Sequence, residues 1–204
     1  MAAAGAIVPL DRVAIQDALT IANSSIESTH RRFHADYHFP VNVAPVDFVS
    51  VVSPFRRVVL AAETAERFGR RMFGQREALA ALQPDPDQLE MYVELTFHPH
   101  NTFVGVPGYT IELEPMTFRG PTVAPAEIER LPRFGPRLDD SMYPFPYPFP
   151  VGPRTLAGTE PLRGGTLIAR IPGTRLDTKA GYVVIVRDGA KELARTRFDL
   201  GRLR

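Results

Sequence analysis

The chain contains no cysteine. Disulfides, thiolate nucleophiles and cysteine-based zinc or iron–sulfur centres are therefore excluded together. Lysine is almost as scarce: Lys179 and Lys191 are the only two among 24 basic residues, and the rest are arginine. With abundant Ala, Pro, Val and Gly, that bias reads as the codon usage of a GC-rich, bacterial genome rather than as selection for arginine chemistry. An excess of one charge is missing too. The 24 basic residues stand against 23 acidic ones, a net charge of +1, so no long-range field draws nucleic acid or an anionic membrane toward the protein. Neither is expected as a partner. No apolar run approaches the ~20 residues that a membrane helix needs, so no membrane span is expected. The first ten residues, Met1 to Leu10, carry no basic segment and too short an apolar run for a signal peptide. The expected location is the cytoplasm, or an exported site after removal of a signal.

Chemical motifs are also missing. There is no Gly-x-Ser-x-Gly elbow, no Gly-x-Gly-x-x-Gly and no His-Glu-x-x-His, and Gly164-Gly165 lacks the Lys-Ser/Thr that completes a phosphate loop. What is in excess is proline, 20 in 204 residues, about double the usual ~5%. Most fall after Pro84, which argues against long helices in that part. A chain of this length with 44% hydrophobic residues can bury roughly 70% of the surface it exposes when unfolded. It is read as a single domain over residues 1–204.

Residues 11–38 form the first periodic segment. Ile15, Leu19, Ala22, Ile26, Phe33 and Tyr37 recur at helical spacing, with Asp11 as N-cap and Pro40 as stop. The weak point is Asn23-Ser24-Ser25, where a break can fall. Residues 46–114 hold a strand, helices and antiparallel strands. Val46 to Val52 reads as a buried strand, and Ser53-Pro54 as an N-cap with proline at the first helical position. A helix of about 15 residues and one of about eight follow, before Pro84-Asp85-Pro86-Asp87 ends them. From Leu89 to Phe97 the odd positions are apolar and the even ones polar or amphipathic, so one face is expected buried and the other wet. Tyr109 to Glu114 repeats the pattern, and residues 99–108 are read as a hairpin-type loop joining the two.

Residues 115–163 hold eleven prolines and little periodicity, and read as a long extended loop. Its centre, Tyr143-Pro-Phe-Pro-Tyr-Pro-Phe-Pro150, alternates aromatic and proline, a pattern suited to polyproline II and to docking on another surface. Residues 164–204 return to strands, with Gly181–Arg187 and Lys191–Leu200 joined at Asp188-Gly189 in a type I′ hairpin. The fold class expected is α+β and β-dominated: an antiparallel β-sandwich-like domain with N-terminal helices and a long Pro/aromatic-rich loop.

Candidate chemistry is confined to histidine. His30, His34 and His38 are spaced by four on the first helical segment, and His30 with His34 is the i, i+4 pair that suits zinc or copper. Against that, a helix C-terminus favours partly charged surface imidazoles without any ligand role. His98 and His100 project from the end of the Leu89–Phe97 strand; paired with Glu112 or Glu114 of a neighbouring strand they would supply a metal site. The arginines at 56, 57, 67, 70, 71 and 76 alternate with Glu63, Glu66 and Glu77, as in helix-surface ion pairs. The favoured expectation is a non-enzymatic structural or protein-interaction subunit of a bacterial envelope, surface or multiprotein assembly. No cofactor is expected in that case, and Tyr143, Phe145, Tyr147 and Phe149 contact another protein or a second copy. The alternative is a His/carboxylate metalloprotein, a metal-dependent hydrolase or oxygenase, holding Zn or another transition metal at His98 and His100.

Overall fold

The computed structural model describes residues 10–69, 72–98, 100–116, 120–135 and 162–203. Two side-chain caps set its N-terminal helices. The Asp11 carboxylate accepts a hydrogen bond from the Ala14 amide at 2.7 Å and starts α1, Arg12–Ala22. The Ser53 hydroxyl accepts from the Arg56 amide at 3.2 Å, with Pro54 at the first helical position, and starts α3, Pro54–Arg67. Each hydroxyl or carboxylate satisfies an amide that the helix itself leaves without an acceptor. The expected single helix over 11–38 is two helices. The Ser24 hydroxyl accepts from the Ile26 amide at 3.2 Å, a local bond that competes with the helical ladder, and α2 begins afresh at Glu27 and runs to Ala35. A short helix, α4, Gln75–Ala81, completes the group. Ile15, Leu19, Phe55, Val59 and Leu82 pack α1, α3 and α4 into one apolar cluster.

The described residues form eight strands: β1 His38–Val43, β2 Val46–Val52, β3 Leu89–Thr96, β4 Thr110–Pro115, β5 Glu127–Phe134, β6 Leu162–Ile171, β7 Gly181–Asp188 and β8 Lys191–Asp199. They form a five-stranded sheet in the order β1-β2-β3-β6-β5 and a three-stranded sheet β4-β7-β8, with every pairing antiparallel. Val49, Met91, Val93 and Leu167 of the first sheet and Ile111, Leu113, Val184 and Phe198 of the second share one buried core. That is the sandwich-like α+β architecture the sequence pattern implies.

Five local expectations are corrected. Strands β3 and β4 do not pair; β3 lies between β2 and β6, and β4 belongs to the other sheet, so the expected hairpin between them does not form. The even face of β3 is not wet either. Tyr92 and Glu94 are only 4% and 5% exposed. Leu60 of α3 and Ile168 cover Tyr92, while the Arg133 guanidinium and the Thr166 hydroxyl donate to Glu94. Part of the proline-rich stretch is strand β5, and Pro40 lies inside strand β1 rather than ending a helix. Proline lacks the N–H of a ladder bond, and β1 and β5 are the two edges of their sheet, where that loss is tolerated. At the C-terminal hairpin the two-residue turn is Gly189-Ala190, flanked by the Asp188–Lys191 pair. Gly189 alone in that turn has positive φ, 55°, which fits type II′ and not type I′. Tyr182 to Val186 are all buried, and β7 is the centre of its sheet, as the two-sided apolar pattern requires. The aromatic–proline tract with Tyr143, Phe145, Tyr147 and Phe149 lies outside the described residues.

Candidate metal centre

Helix α2 is polar over most of its surface, and His34 is its only buried residue. It meets α3 through Phe33, whose ring lies 5.9 Å from that of Phe55 and 5.1 Å from that of Tyr37. Beside this contact sits Glu63, one helical turn beyond Val59 on the apolar stripe of α3 and 8% exposed. A bare carboxylate in such a place is costly unless hydrogen-bonded or paired. Two histidines of α2 supply the partners. His34 Nε2 is 3.0 Å from both carboxylate oxygens of Glu63, and His30 Nδ1 is 2.6 Å from Oε1. His30 Nε2 in turn lies 2.7 Å from the Ser24 carbonyl oxygen at the break between α1 and α2. The break that splits the first helix thus also orients the site.

Burial alone would discharge His30 and Glu63. For His30, the Ser24 carbonyl and the Glu63 carboxylate outweigh it and hold the pKa above the ordinary imidazole value. For Glu63, burial pushes upward, but hydrogen bonds from His34 and His30 prevail and keep the carboxyl below its usual range. Arg56, buried in the first turn of α3, contributes a further positive charge. Its Nη1 donates to the Ser50 hydroxyl at 2.7 Å and to the Val51 carbonyl at 2.5 Å, and its guanidinium lies 5.0 Å from the Tyr37 ring centre. Burial lowers its pKa to about 10, which leaves it charged at neutral pH.

His30 and His34 therefore meet as their spacing implies, and the surface reading of them is corrected: His34 is 4% exposed. His38 does not join them. It lies on β1, half-buried with its ring 4.5 Å from that of Phe48, and burial lowers its pKa. His98 and His100 are exposed beyond the end of β3, their rings 5.3 Å apart, with the His100 amide donating to His98 Nδ1 at 3.2 Å. The carboxylates expected beside them are on the other sheet, where Glu112 pairs with Arg187 at 3.0 Å and Glu114 with Arg195 at 3.6 Å. Among the described residues, the one group of three potential ligands with donor atoms close enough to share an ion is His30, His34 and Glu63.

Glu63 is the residue that charge patterning misplaces. Its arginine neighbours suggest surface ion pairs, whereas Arg56 is buried and Arg57 donates to the Asp85 and Gln88 carbonyls at 3.0 and 2.9 Å. The available signal is its i+4 spacing from Val59, which places a carboxylate on an apolar stripe. Gly164-Gly165 also has a structural role: a Cβ at Gly164 would collide with the Leu95 carbonyl oxygen of the adjacent strand. No helix among the described residues is long and apolar enough to cross a membrane. Comparisons of the chain with protein-family models, curated proteins and solved structures find no match.

Proposed function

We propose that this protein binds a divalent transition ion, Zn2+ in the first instance, through His30 Nδ1, His34 Nε2 and the Glu63 carboxylate. The observation that carries the reading is the arrangement around His30. A carbonyl oxygen only accepts, so the Ser24 contact at 2.7 Å fixes the proton on Nε2. That leaves the Nδ1 lone pair facing an ionised carboxylate oxygen at 2.6 Å. Two lone pairs at that distance require a cation between them, either a second proton or a metal. Histidine ligands of metals are commonly oriented by donating their other N–H to a backbone carbonyl, which is the arrangement His30 has.

Two imidazoles and a carboxylate suit zinc and neighbouring first-row ions. Zinc bonds of ~2.0–2.1 Å place tetrahedral donors about 3.3 Å apart. The present separations of 2.6 and 3.0 Å need to widen by less than about 1 Å for such an ion. Bound there, the ion would tie α2 to α3. Its test is metal analysis after dialysis together with calorimetric titration of Zn2+. One ion per chain, lost in His30→Ala, supports the reading, and no binding to the wild type refutes it.

The interaction reading keeps one independent observation. Phe68 and Met72, at and beyond the end of α3, are 73% and 90% exposed, and large apolar side chains left in water are candidates for contact with another protein. Light scattering of a Phe68→Ser, Met72→Ser double variant tests it. Loss of self-association present in the wild type supports it, and a monomeric wild type removes self-association as its form.

A further inference from the structure

We infer that the groove along the outer edge of β8 binds an extended, acidic segment of a partner protein, which joins the three-stranded sheet as a further strand. The inference is independent of the metal. A sheet edge exposes main-chain N–H and C=O groups that another strand can pair with, and folded proteins commonly blunt such edges. Three of the four edges formed by the described residues are blunted. Strands β1 and β5 carry Pro40 and Pro132. The edge of β4 is covered at Leu113, whose N–H and C=O bond to Val123 at 2.9 and 2.8 Å. Among the described residues β8 has neither a proline nor such a cover.

The main chain of β8 is also turned the right way. The Met116 amide donates to the Gly181 carbonyl at 2.8 Å, so Gly181 directs its main chain toward β4. The groups that β7 directs toward β8 are therefore those of the alternate residues, and the Leu200 amide keeps that alternation by bonding the Ala180 carbonyl at 3.2 Å. Asp199 opposes Gly181 and Arg197 opposes Val183. The N–H groups of Arg197 and Asp199, with the Arg197 C=O, thus point away from the sheet. Beside them runs a groove of about 730 Å3 lined by Arg197, Phe198 and Asp199 together. Successive side chains of a strand point to opposite faces, so three consecutive residues share a groove only where it follows the strand's edge. Its volume is within the ~300–1,000 Å3 usual for ligand sites.

The lining specifies the occupant. Phe39 and Phe198 border the groove with ring centres 6.0 Å apart, and Met116 lies over Gly181, where a Cβ would come within 2.7 Å of the Met116 sulfur. These groups suit an apolar side chain. Around them the cations Lys179, Arg197 and Arg202 outnumber the acids Asp36 and Asp199 by three to two. Arg202 is held by Asp199 at 3.1 Å. Lys179 and Arg197 are exposed and make no ion pair among the described residues. A second copy of β8 would bring its own Arg197 to this edge, and like charges across a strand pair are unfavourable. An acidic strand complements both cations, and main-chain pairing along an open edge with side-chain pockets beside it is an established mode of peptide recognition.

The experiment measures fluorescence anisotropy of two labelled probe peptides with the full chain, one alternating Val and Glu and the other alternating Val and Lys. Hydrogen exchange follows the Arg197 and Asp199 amides in the same samples. The Val-Glu peptide is expected to bind at least about tenfold more tightly than the Val-Lys peptide and to slow exchange at both amides. Arg197→Glu is expected to weaken the Val-Glu peptide by about tenfold, with thermal unfolding close to wild type because the side chain is exposed. Should that variant unfold early, Lys179→Glu, outside the strands, carries the comparison. Equal affinity for the two peptides, no binding of either, or binding that leaves both amides exchanging as before overturns the inference. Protection of these amides without peptide, rising with protein concentration, identifies a second copy as the occupant and overturns it too.

Discussion

Helices α1 and α2 are consecutive and comparable in length, 11 and 9 residues, yet they are attached by different means. Helix α1 buries Ala14, Ile15, Ala18, Leu19 and Ala22 against α3 and α4. Helix α2 buries His34 alone, and its remaining hold on α3 is Phe33 and the carboxylate of Glu63. Apolar burial is indifferent to protons and metal ions. A cluster of imidazole and carboxylate responds to both. One element is therefore fixed unconditionally, and its neighbour is fixed by the state of three titratable groups.

The largest expected effect lies on the unconditional side. Ile15→Ala should cost about 2–5 kcal/mol of global stability, the range for a truncated core aliphatic, with the same loss in the presence or absence of Zn2+. A loss that Zn2+ repairs would break the contrast. Next in size, saturating Zn2+ at a hundred times its Kd should raise wild-type stability by about 2.7 kcal/mol and leave His30→Ala unchanged in thermal unfolding. Glu63→Gln should cost about 1–3 kcal/mol, because the amide offers the imidazoles of His30 and His34 one acceptor oxygen and an N–H where the carboxylate offers two acceptors and a negative charge. Hydrogen exchange should locate that cost in α2 more than in α1.

A subtler test is pH. The Glu63 carboxyl has a lowered pKa when folded, so its stabilisation is present above its ordinary value of 4.5 and is lost as pH falls through the folded value. His30 is raised when folded, so its contribution is complete below 6.5 and is lost as pH rises through the folded value. Metal-free α2 should thus be best protected between about pH 4.5 and 6.5 and loosen on either side. Zn2+ should abolish the alkaline loosening, because the ion takes the place of the second proton on His30. Amide exchange of residues 27–35 across this range, with and without Zn2+, measures both effects. The smallest expected change is in Phe68→Ser, within about 0.5 kcal/mol of wild type, since a 73% exposed side chain has little burial to lose.

The parts of this arrangement visible in the sequence are those set by near neighbours. Asp11 and Ser53-Pro54 mark helix starts through bonds three residues long, and the apolar run of β7 marks a central strand by itself. Pairing between distant segments is not legible in this way. Glu94 reads as solvent-facing because its partners, Arg133 and Thr166, are 39 and 72 residues away. Pro40 and Pro132 count against strands unless the strands are known to be edges, which only the assembled sheet reveals. The site divides in the same manner. The four-residue spacing of His30 and His34 is readable, whereas Glu63 is 29 residues beyond His34 and sits among arginines that suggest another role.

The most direct test of the account is hydrogen exchange at neutral pH, comparing residues 27–35 with residues 12–22 as Zn2+ is added to the full chain. The account expects exchange in α2 to slow markedly on metal binding, α1 to remain as it was, and the slowing to vanish in His30→Ala. Exchange in α2 that is indifferent to Zn2+, or that slows equally in the His30 variant, would contradict the claim that these three side chains form a metal-binding clasp on α2.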